Sequence, residues 1–176
     1  MPTNKKCSKS ISFFMVLLCV PLSGIGVDLY APSLPYIAKD LIVPPQLVQI
    51  TITIYMIAFG ISQAIFGPIS DTIGRKKAIL AGSLLYLISV SIMALSHSIT
   101  TIIVMRFIQG ASVALISVPA RAINSDIFTG NEFIQKTKTM IIVWGLGPIL
   151  APAIGGYLQE YINWRANFWF MLGYGF

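Results

Sequence analysis

The sequence has few charged residues, two cysteines and a single histidine. Only 10% of its 176 residues are charged and 56% are hydrophobic, whereas a soluble domain carries roughly 25% charged residues. Such a chain cannot cover a water-facing surface, and we predict that it lies in a lipid bilayer. Cys7 and Cys19 lie in a basic leader and an apolar run, so they imply no disulfide framework. His97 stands alone between apolar runs, which favours a loop residue over a metal ligand.

The sequence also lacks the side-chain sets that other functions require. No apolar run carries a nucleophile with a base or a set of metal ligands, so we predict no enzyme, no cofactor and no metal site. No ring of charge or filter-like loop indicates an ion channel. The net charge of +6 is spread over three loops without interleaved aromatic residues, which argues against a nucleic-acid partner.

Six apolar runs follow a leader that comprises residues 1–10. They cover residues 11–32, 46–69, 78–95, 101–122, 140–158 and 166–176. A membrane-spanning helix needs about 20 mainly apolar residues, and each run is apolar all round, which argues against an interfacial helix. The last run would rise only about 16 Å, roughly half of the bilayer. We therefore expect a multi-pass membrane protein whose chain stops inside its sixth helix.

The basic residues are distributed unequally between the loops that join these runs. Nine lie in the leader, after the second run and after the fourth: Lys5, Lys6, Lys9, Arg75, Lys76, Lys77, Arg121, Lys136 and Lys138. The alternate loops hold only Lys39 and Arg165. Because cytoplasmic loops carry an excess of Lys and Arg, we predict that the N-terminus lies in the cytoplasm.

A basic leader before an apolar run is also typical of a cleavable signal peptide. The first run has no small-x-small cleavage site, however, and it continues through Val27, past the length of a usual signal core. We therefore expect this run to remain as a span.

Two clear charges fall within the spans, Asp28 in the first and Arg106 in the fourth. A charge at the bilayer centre costs roughly 2.5–3.5 kcal/mol on insertion scales, so each side chain should face protein or water. Both lie at similar depth, and an ion pair, direct or through water, is geometrically allowed. Such a carboxylate is able to bind a proton or a cationic substrate. Alternatively, the pair only locks two helices, or Asp28 already lies in the headgroup zone.

Four segments resemble motifs of the major facilitator superfamily. Residues 67–77, between the second and third runs, resemble its G-x-x-x-D-x-x-G-R-K/R-K loop, and residues 106–110 resemble the fourth-helix R-x-x-Q-G motif. Residues 147–156 are similar to the fifth-helix motif associated with antiporters, and residues 21–35 to the end of the first helix in the Bcr/CflA branch of drug:proton antiporters.

The resemblance implies an all-α fold and assigns three groups of site residues. The fold would be the N-terminal six-helix bundle of that family, built from 3+3 inverted repeats, here with an incomplete sixth helix. Asp28, Tyr30, Arg106 and Gln109 would serve proton coupling or line the substrate cavity. Gly67, Asp71, Gly74, Arg75, Lys76 and Arg121 would form a cytoplasmic gate loop, with Arg121 as the nearby partner of Asp71. Gly147, Pro148, Pro152, Gly155 and Gly156 would form the fifth-helix motif.

Two functions remain open at this point. The first is a proton-coupled multidrug exporter of the bacterial inner membrane, or its N-terminal part, in which protonation of Asp28 releases a small lipophilic or cationic drug. Its partners would be the bilayer, protons, the drug and a missing C-terminal six-helix half. The second is a truncated half-domain that transports nothing until it pairs with a separate C-terminal half.

Overall fold

A computed structural model describes the backbone of residues 3–175. Met1, Pro2 and Phe176, which belong to the predicted leader and sixth helix, lie outside the described residues, as do the side chains of residues 3–8 and 11. The helices are α1 (Thr3–Cys19), α2 (Leu22–Asp28), α3 (Leu34–Asp40), α4 (Pro45–Ile73), α5 (Arg75–Leu95), α6 (Ile99–Ile127), α7 (Gly130–Tyr161) and α8 (Arg165–Gly175). Residues 3–175 contain no strand, and the predicted all-α class is confirmed.

The first apolar run is not one continuous helix, because proline has no backbone N–H to donate to the preceding turn. α1 ends at Cys19, directly before Pro21, and α2 contains only seven residues. A 3₁₀ turn at Ala31–Ser33 contains Pro32 and separates α2 from α3. α2 is therefore a short helix with a break at each end.

The remaining long helices are continuous, and α6 lies at the centre of the bundle. α6 packs against α4 and α5, and it is the most buried of the long apolar helices, whereas α7 is the least buried. α7 remains one helix through Pro148 and Pro152. Within the described chain, five helical stretches are long and apolar enough to cross a membrane; α8, with 11 residues, is shorter.

A single residue, Gly74, joins α4 to α5. Its φ of +92° lies in a region that side-chain-bearing residues rarely adopt. The Gly74 N–H donates to the Ser70 carbonyl, and the Gly74 carbonyl accepts from Ala78 N–H. Of the two glycines in the predicted gate loop, Gly74 is therefore the one that the backbone geometry requires.

The bundle has two ends, which we call the basic end and the opposite end. The basic end contains the start of α1, Gly74 and the α6–α7 connection at Phe128–Thr129. The opposite end contains the connections at residues 41–44, 96–98 and 162–164. His97 lies exposed in the second of these connections, a loop as predicted. A small apolar cluster of Phe13, Val16, Ala120, Phe128 and Met140 lies near the basic end, and the larger core fills the rest.

Candidate functional site

Arg106 of α6 is buried inside the bundle, with 1% of its surface exposed. Its Nη1 donates to the Gly26 carbonyl oxygen at 2.7 Å and to Gln109 Oε1 at 2.9 Å. The guanidinium lies over the Tyr30 ring, 3.8 Å from its centroid, and 5.4 Å from that of Phe168. A desolvated cation–π contact contributes roughly 2 kcal/mol. A carbonyl, an amide and aromatic faces therefore hold this cation.

The Gly26 carbonyl is available because the backbone changes its hydrogen-bond pattern there. In a continuous α-helix this carbonyl would accept from the N–H of Tyr30. Instead, the Tyr30 N–H donates to the Val27 carbonyl at 3.2 Å. The end of α2 thus leaves one buried acceptor free, and Arg106 fills it.

The direct form of the ion pair that the sequence allowed between Asp28 and Arg106 is absent from the described residues. Asp28 is half-buried at the end of α2, beside Gly24, and forms neither a hydrogen bond nor an ion pair with the described residues. Arg106 instead donates to the carbonyl oxygen of Gly26, two residues before Asp28 in the chain. The helix end supplies a backbone acceptor that the one-letter pattern does not reveal.

The other two residues predicted for the coupling site surround Arg106. Tyr30 is fully buried, and its hydroxyl lies 3.3 Å from Thr51 Oγ1 on α4. Gln109 is also fully buried, and besides accepting from Arg106 its Nε2 lies 3.8 Å from the Met171 sulfur on α8. The structure therefore brings Tyr30, Arg106 and Gln109 together in the core, with Asp28 nearby on α2.

The residues predicted for the gate loop form an ion-pair network at the basic end. Arg75 Nη2 lies 3.3 Å from Asp71 Oδ1, and Arg75 Nε lies 2.9 Å from Asp126 Oδ2. The network joins the end of α4, the start of α5 and the end of α6. Lys76 is exposed, and a β-carbon at Gly67 would meet open space.

The resemblance implied that Arg121 is the partner of Asp71, but within the described chain Arg75 forms that ion pair and also pairs with Asp126. Arg121 Nη2 donates to Gln63 Oε1 at 3.1 Å, and its Nε donates to the Ser117 carbonyl at 3.4 Å. Five residues along a helix correspond to a rotation of about 140°. Arg121 and Asp126 therefore lie on different faces of α6, and only Asp126 faces the gate loop.

The predicted fifth-helix motif lies on α7, and its glycines differ in their surroundings. A β-carbon at Gly155 would collide with the carbonyl oxygen of Leu29, so α7 approaches the first span closely there. A β-carbon at Gly147 or Gly156 would meet nothing within 4 Å. Gly155 is the member of the motif that the packing of the described chain requires.

An open cleft of about 490 Å³ lies between α2, α4, α6 and α7, along the part of α7 toward the basic end. Small-molecule sites typically have roughly 300–1,000 Å³. Aromatic side chains from two helices, Phe59, Phe133 and Trp144, form part of its wall. None of the residues predicted for the coupling site, Asp28, Tyr30, Arg106 and Gln109, lines the cleft.

The polar side chains of the cleft form short hydrogen-bonded pairs. Trp144 Nε1 donates to Ser23 Oγ at 3.2 Å, and Asn124 Nδ2 donates to Thr137 Oγ1 at 3.1 Å. Arg121 is the one charged side chain among the lining residues that the structure describes. Only Arg121 among these residues was predicted as a site residue, and it was assigned to the gate loop. The spacing of Ser117, Arg121 and Asn124 along one face of α6 is the signal that indicates a polar stripe.

A second polar cluster closes the opposite end. Arg165 Nη1 lies 3.1 Å from Asp40 Oδ2, and its Nη2 lies 3.2 Å from both the Ser96 carbonyl and His97 Nδ1. Trp164 Nε1 donates to the same Asp40 oxygen at 3.0 Å. Arg165 thus connects all three loops at this end of the bundle.

Comparison with known proteins relates this geometry to a family. The family model described as Major Facilitator Superfamily matches residues 16–176. The chain is 35% identical to the uncharacterized MFS-type transporter YdgK of Bacillus subtilis, over 99% of the chain and 44% of the relative.

Two further relatives carry the names of antibiotics. The chain is 34% identical to the bicyclomycin resistance protein homolog of Haemophilus influenzae, over 92% of the chain and 41% of that protein. It is also 34% identical to the chloramphenicol resistance protein of Pseudomonas aeruginosa, over 89% of the chain and 38% of that protein. The chain therefore spans less than half the length of these curated relatives.

Proposed function

Because the chain belongs to the major facilitator superfamily of membrane transporters, we propose that it provides the drug-binding half of a proton-coupled exporter in the bacterial inner membrane. The names of two relatives, which refer to resistance to bicyclomycin and to chloramphenicol, support a small lipophilic drug as the substrate. The chain spans 38% to 44% of the three relatives, and we propose that a second six-helix half completes the transport path.

The observation that carries proton coupling is the position of α2 between the cleft and Arg106. Ser23 at one end of α2 lines the cleft, Gly26 in its middle accepts from Arg106, and Asp28 at its other end is half-buried without an ion-pair partner in the described chain. Because Pro21 and Pro32 interrupt the backbone hydrogen bonds on its two sides, α2 is a separate short helix between the cleft and Arg106. A proton on Asp28 and a drug beside Ser23 would thus act on one short helix.

The orientation follows from the unequal charge of the two ends. The basic end holds Arg75, Lys76, Lys77 and Arg121, and we propose that it faces the cytoplasm. The cleft opens near this end, so a drug would enter it from the cytoplasmic side.

Calorimetric titration of the chain in lipid nanodiscs with chloramphenicol tests this proposal. Repeating the titration in buffers of different ionisation enthalpy gives the number of protons released on binding. We expect the unmodified chain to release protons when the drug binds. In Asp28→Asn, which mimics the protonated carboxyl group, we expect weaker binding and no proton release at this position.

A matched control is Glu132→Gln, which removes an exposed carboxylate from the first turn of α7. This variant should bind chloramphenicol and release protons as the unmodified chain does. Failure of the unmodified chain to bind the drug would contradict the drug-binding role, and unchanged proton release in Asp28→Asn would contradict the coupling role of Asp28.

A further inference from the structure

The cleft combines one cation with an uncharged wall. Arg121 is exposed toward the cleft, and no described ion pair includes it. The acid closest to it along α6, Asp126, is bound by Arg75 on another face of that helix. No carboxylate lines the cleft within the described chain. A ligand in the cleft therefore meets an uncompensated positive charge.

Hydrogen bonds hold the Arg121 side chain in place from one side. Gln63 Oε1 and the Ser117 carbonyl accept from Nη2 and Nε, respectively. A guanidinium group carries five N–H donors, so donors remain free for an oxygen of the ligand. An ammonium group of a ligand would find no carboxylate there to offset its charge.

A second donor lies on the facing wall of the cleft. Thr137 Oγ1 accepts from Asn124 Nδ2 at 3.1 Å, which leaves the hydroxyl proton of Thr137 available to another acceptor. The aromatic residues of the cleft offer flat apolar surfaces beside these donors, and the indole N–H of Trp144 is already bound by Ser23. The lining thus suits an aromatic ring that carries oxygen acceptors.

We propose that the cleft selects neutral or anionic aromatic molecules with oxygen acceptors, which bind Arg121 and Thr137, and that it discriminates against lipophilic cations of the same size. This inference rests on the proposed function, because it names the substrate class of the same cleft. It replaces the cationic drug that the sequence left open.

Three probes of nearly equal size and different charge test the selectivity: 2-naphthoate, 2-naphthamide and 2-naphthylmethylammonium. Equilibrium dialysis against the chain in nanodiscs, with empty nanodiscs to subtract partition into lipid, gives the three affinities. We expect 2-naphthoate to bind most tightly and the ammonium probe most weakly. Because the cleft is open to water, the difference between them should be roughly tenfold.

Arg121→Gln should remove the preference for the anion, and Arg121→Lys, which keeps the charge, should retain most of it. The control is Lys77→Gln, which removes the same charge from an exposed residue at the same end of the bundle without contact with the cleft. This control should leave the order unchanged. Circular dichroism of each variant shows whether it retains its helices.

Tighter binding of the ammonium probe, or an unchanged order in Arg121→Gln, would overturn the selectivity while leaving chloramphenicol binding intact. If neither chloramphenicol nor any of the three probes binds to the unmodified chain, the proposed function and this inference are both overturned.

Discussion

The two ends of the bundle each contain an exposed or half-exposed arginine near a helix end, and the two arginines are used in different ways. At the opposite end, Arg165 connects the loops that contain Asp40 and Ser96 with the start of α8. At the basic end, Arg121 is bound only within a pair of neighbouring helices and faces an open cleft. One arginine closes its end of the bundle, and the other leaves its end accessible.

α7 shows the same difference along its own length. Near the opposite end, Gly155 lies against the Leu29 backbone, whereas at the basic end Phe133 and Trp144 line the cleft. α7 is thus in backbone contact with the first span near the opposite end, and its part toward the basic end forms one wall of the cleft. The comparison shows that the opposite end is closed by contacts between its loops, whereas the basic end combines an ion-pair network and an apolar cluster with an open binding surface.

The largest expected effect comes from substitution of the tight contact on α7. In Gly155→Ala the new methyl group would collide with the Leu29 carbonyl, and we expect the free energy of unfolding to fall by about 2–3 kcal/mol. Titration of the detergent-solubilised chain with sodium dodecyl sulfate, followed by circular dichroism, measures it. The control is Gly156→Ala, where the methyl group meets open space, and we expect no loss there. Equal losses in the two variants would contradict the close contact.

Removal of Arg165 should have the next largest effect. Arg165→Gln loses the ion pair with Asp40 and the bonds to the neighbouring loop, and we expect a loss of about 1 kcal/mol because these groups are partly exposed. The same unfolding titration measures the loss. Arg165→Lys keeps the charge but cannot reach several acceptors at once. Its free energy of unfolding should therefore lie between those of the unmodified chain and Arg165→Gln. Full stability of Arg165→Gln would show that the three loops do not depend on this residue.

Asp40→Asn separates the charge from the hydrogen bonds at the opposite end. The amide oxygen of asparagine still accepts from the Trp164 indole, whereas the ion pair with Arg165 is lost. We therefore expect a smaller loss than in Arg165→Gln, about 0.5 kcal/mol, in the unfolding titration. A loss as large as that of Arg165→Gln would mean that the ion pair accounts for the whole contribution of the cluster.

Arg121→Gln should have the smallest effect on stability. The side chain is exposed and joins no loops, so the free energy of unfolding should change by less than about 0.5 kcal/mol, although the selectivity of the cleft changes. Measurement of the free energy of unfolding and of the cleft's selectivity on one preparation tests whether Arg121 serves binding rather than stability. A loss of stability comparable to that of Arg165→Gln would show that both arginines hold the bundle together.

The sequence alone was sufficient for the all-α membrane class and the family, because apolar runs of the right length and the spacing of Gly, Asp and Arg are visible in one-letter code. It did not reveal that the first span is broken into three helices, although Pro21 and Pro32 mark the breaks. Apolar composition reports where a chain can cross a bilayer, but not whether its backbone hydrogen bonds continue.

The candidate site was predicted only in part, for two physical reasons. Arg106 was expected to face an acidic side chain, but its main acceptor is a backbone carbonyl, which sequence patterns do not display. The resemblance assigned Arg121 to the gate loop as the partner of Asp71, yet Arg121 donates to Gln63 and the ion pair with Asp71 is made by Arg75. The cleft depends on how α4 and α7 pack around α6, which sequence patterns do not display.

The hydrogen bond from Arg106 to the Gly26 carbonyl has a consequence for the tolerance of this contact to mutation. A carboxylate or amide acceptor can be deleted by one amino-acid replacement, whereas every residue type at position 26 would still provide a main-chain oxygen. Any residue type would thus keep the acceptor, but a β-carbon at position 26 would lie 2.8 Å from the Tyr55 hydroxyl, so a larger residue would disturb the contact by changing the local path of the polypeptide. Loss of this hydrogen bond would therefore indicate a change of backbone conformation in the first span.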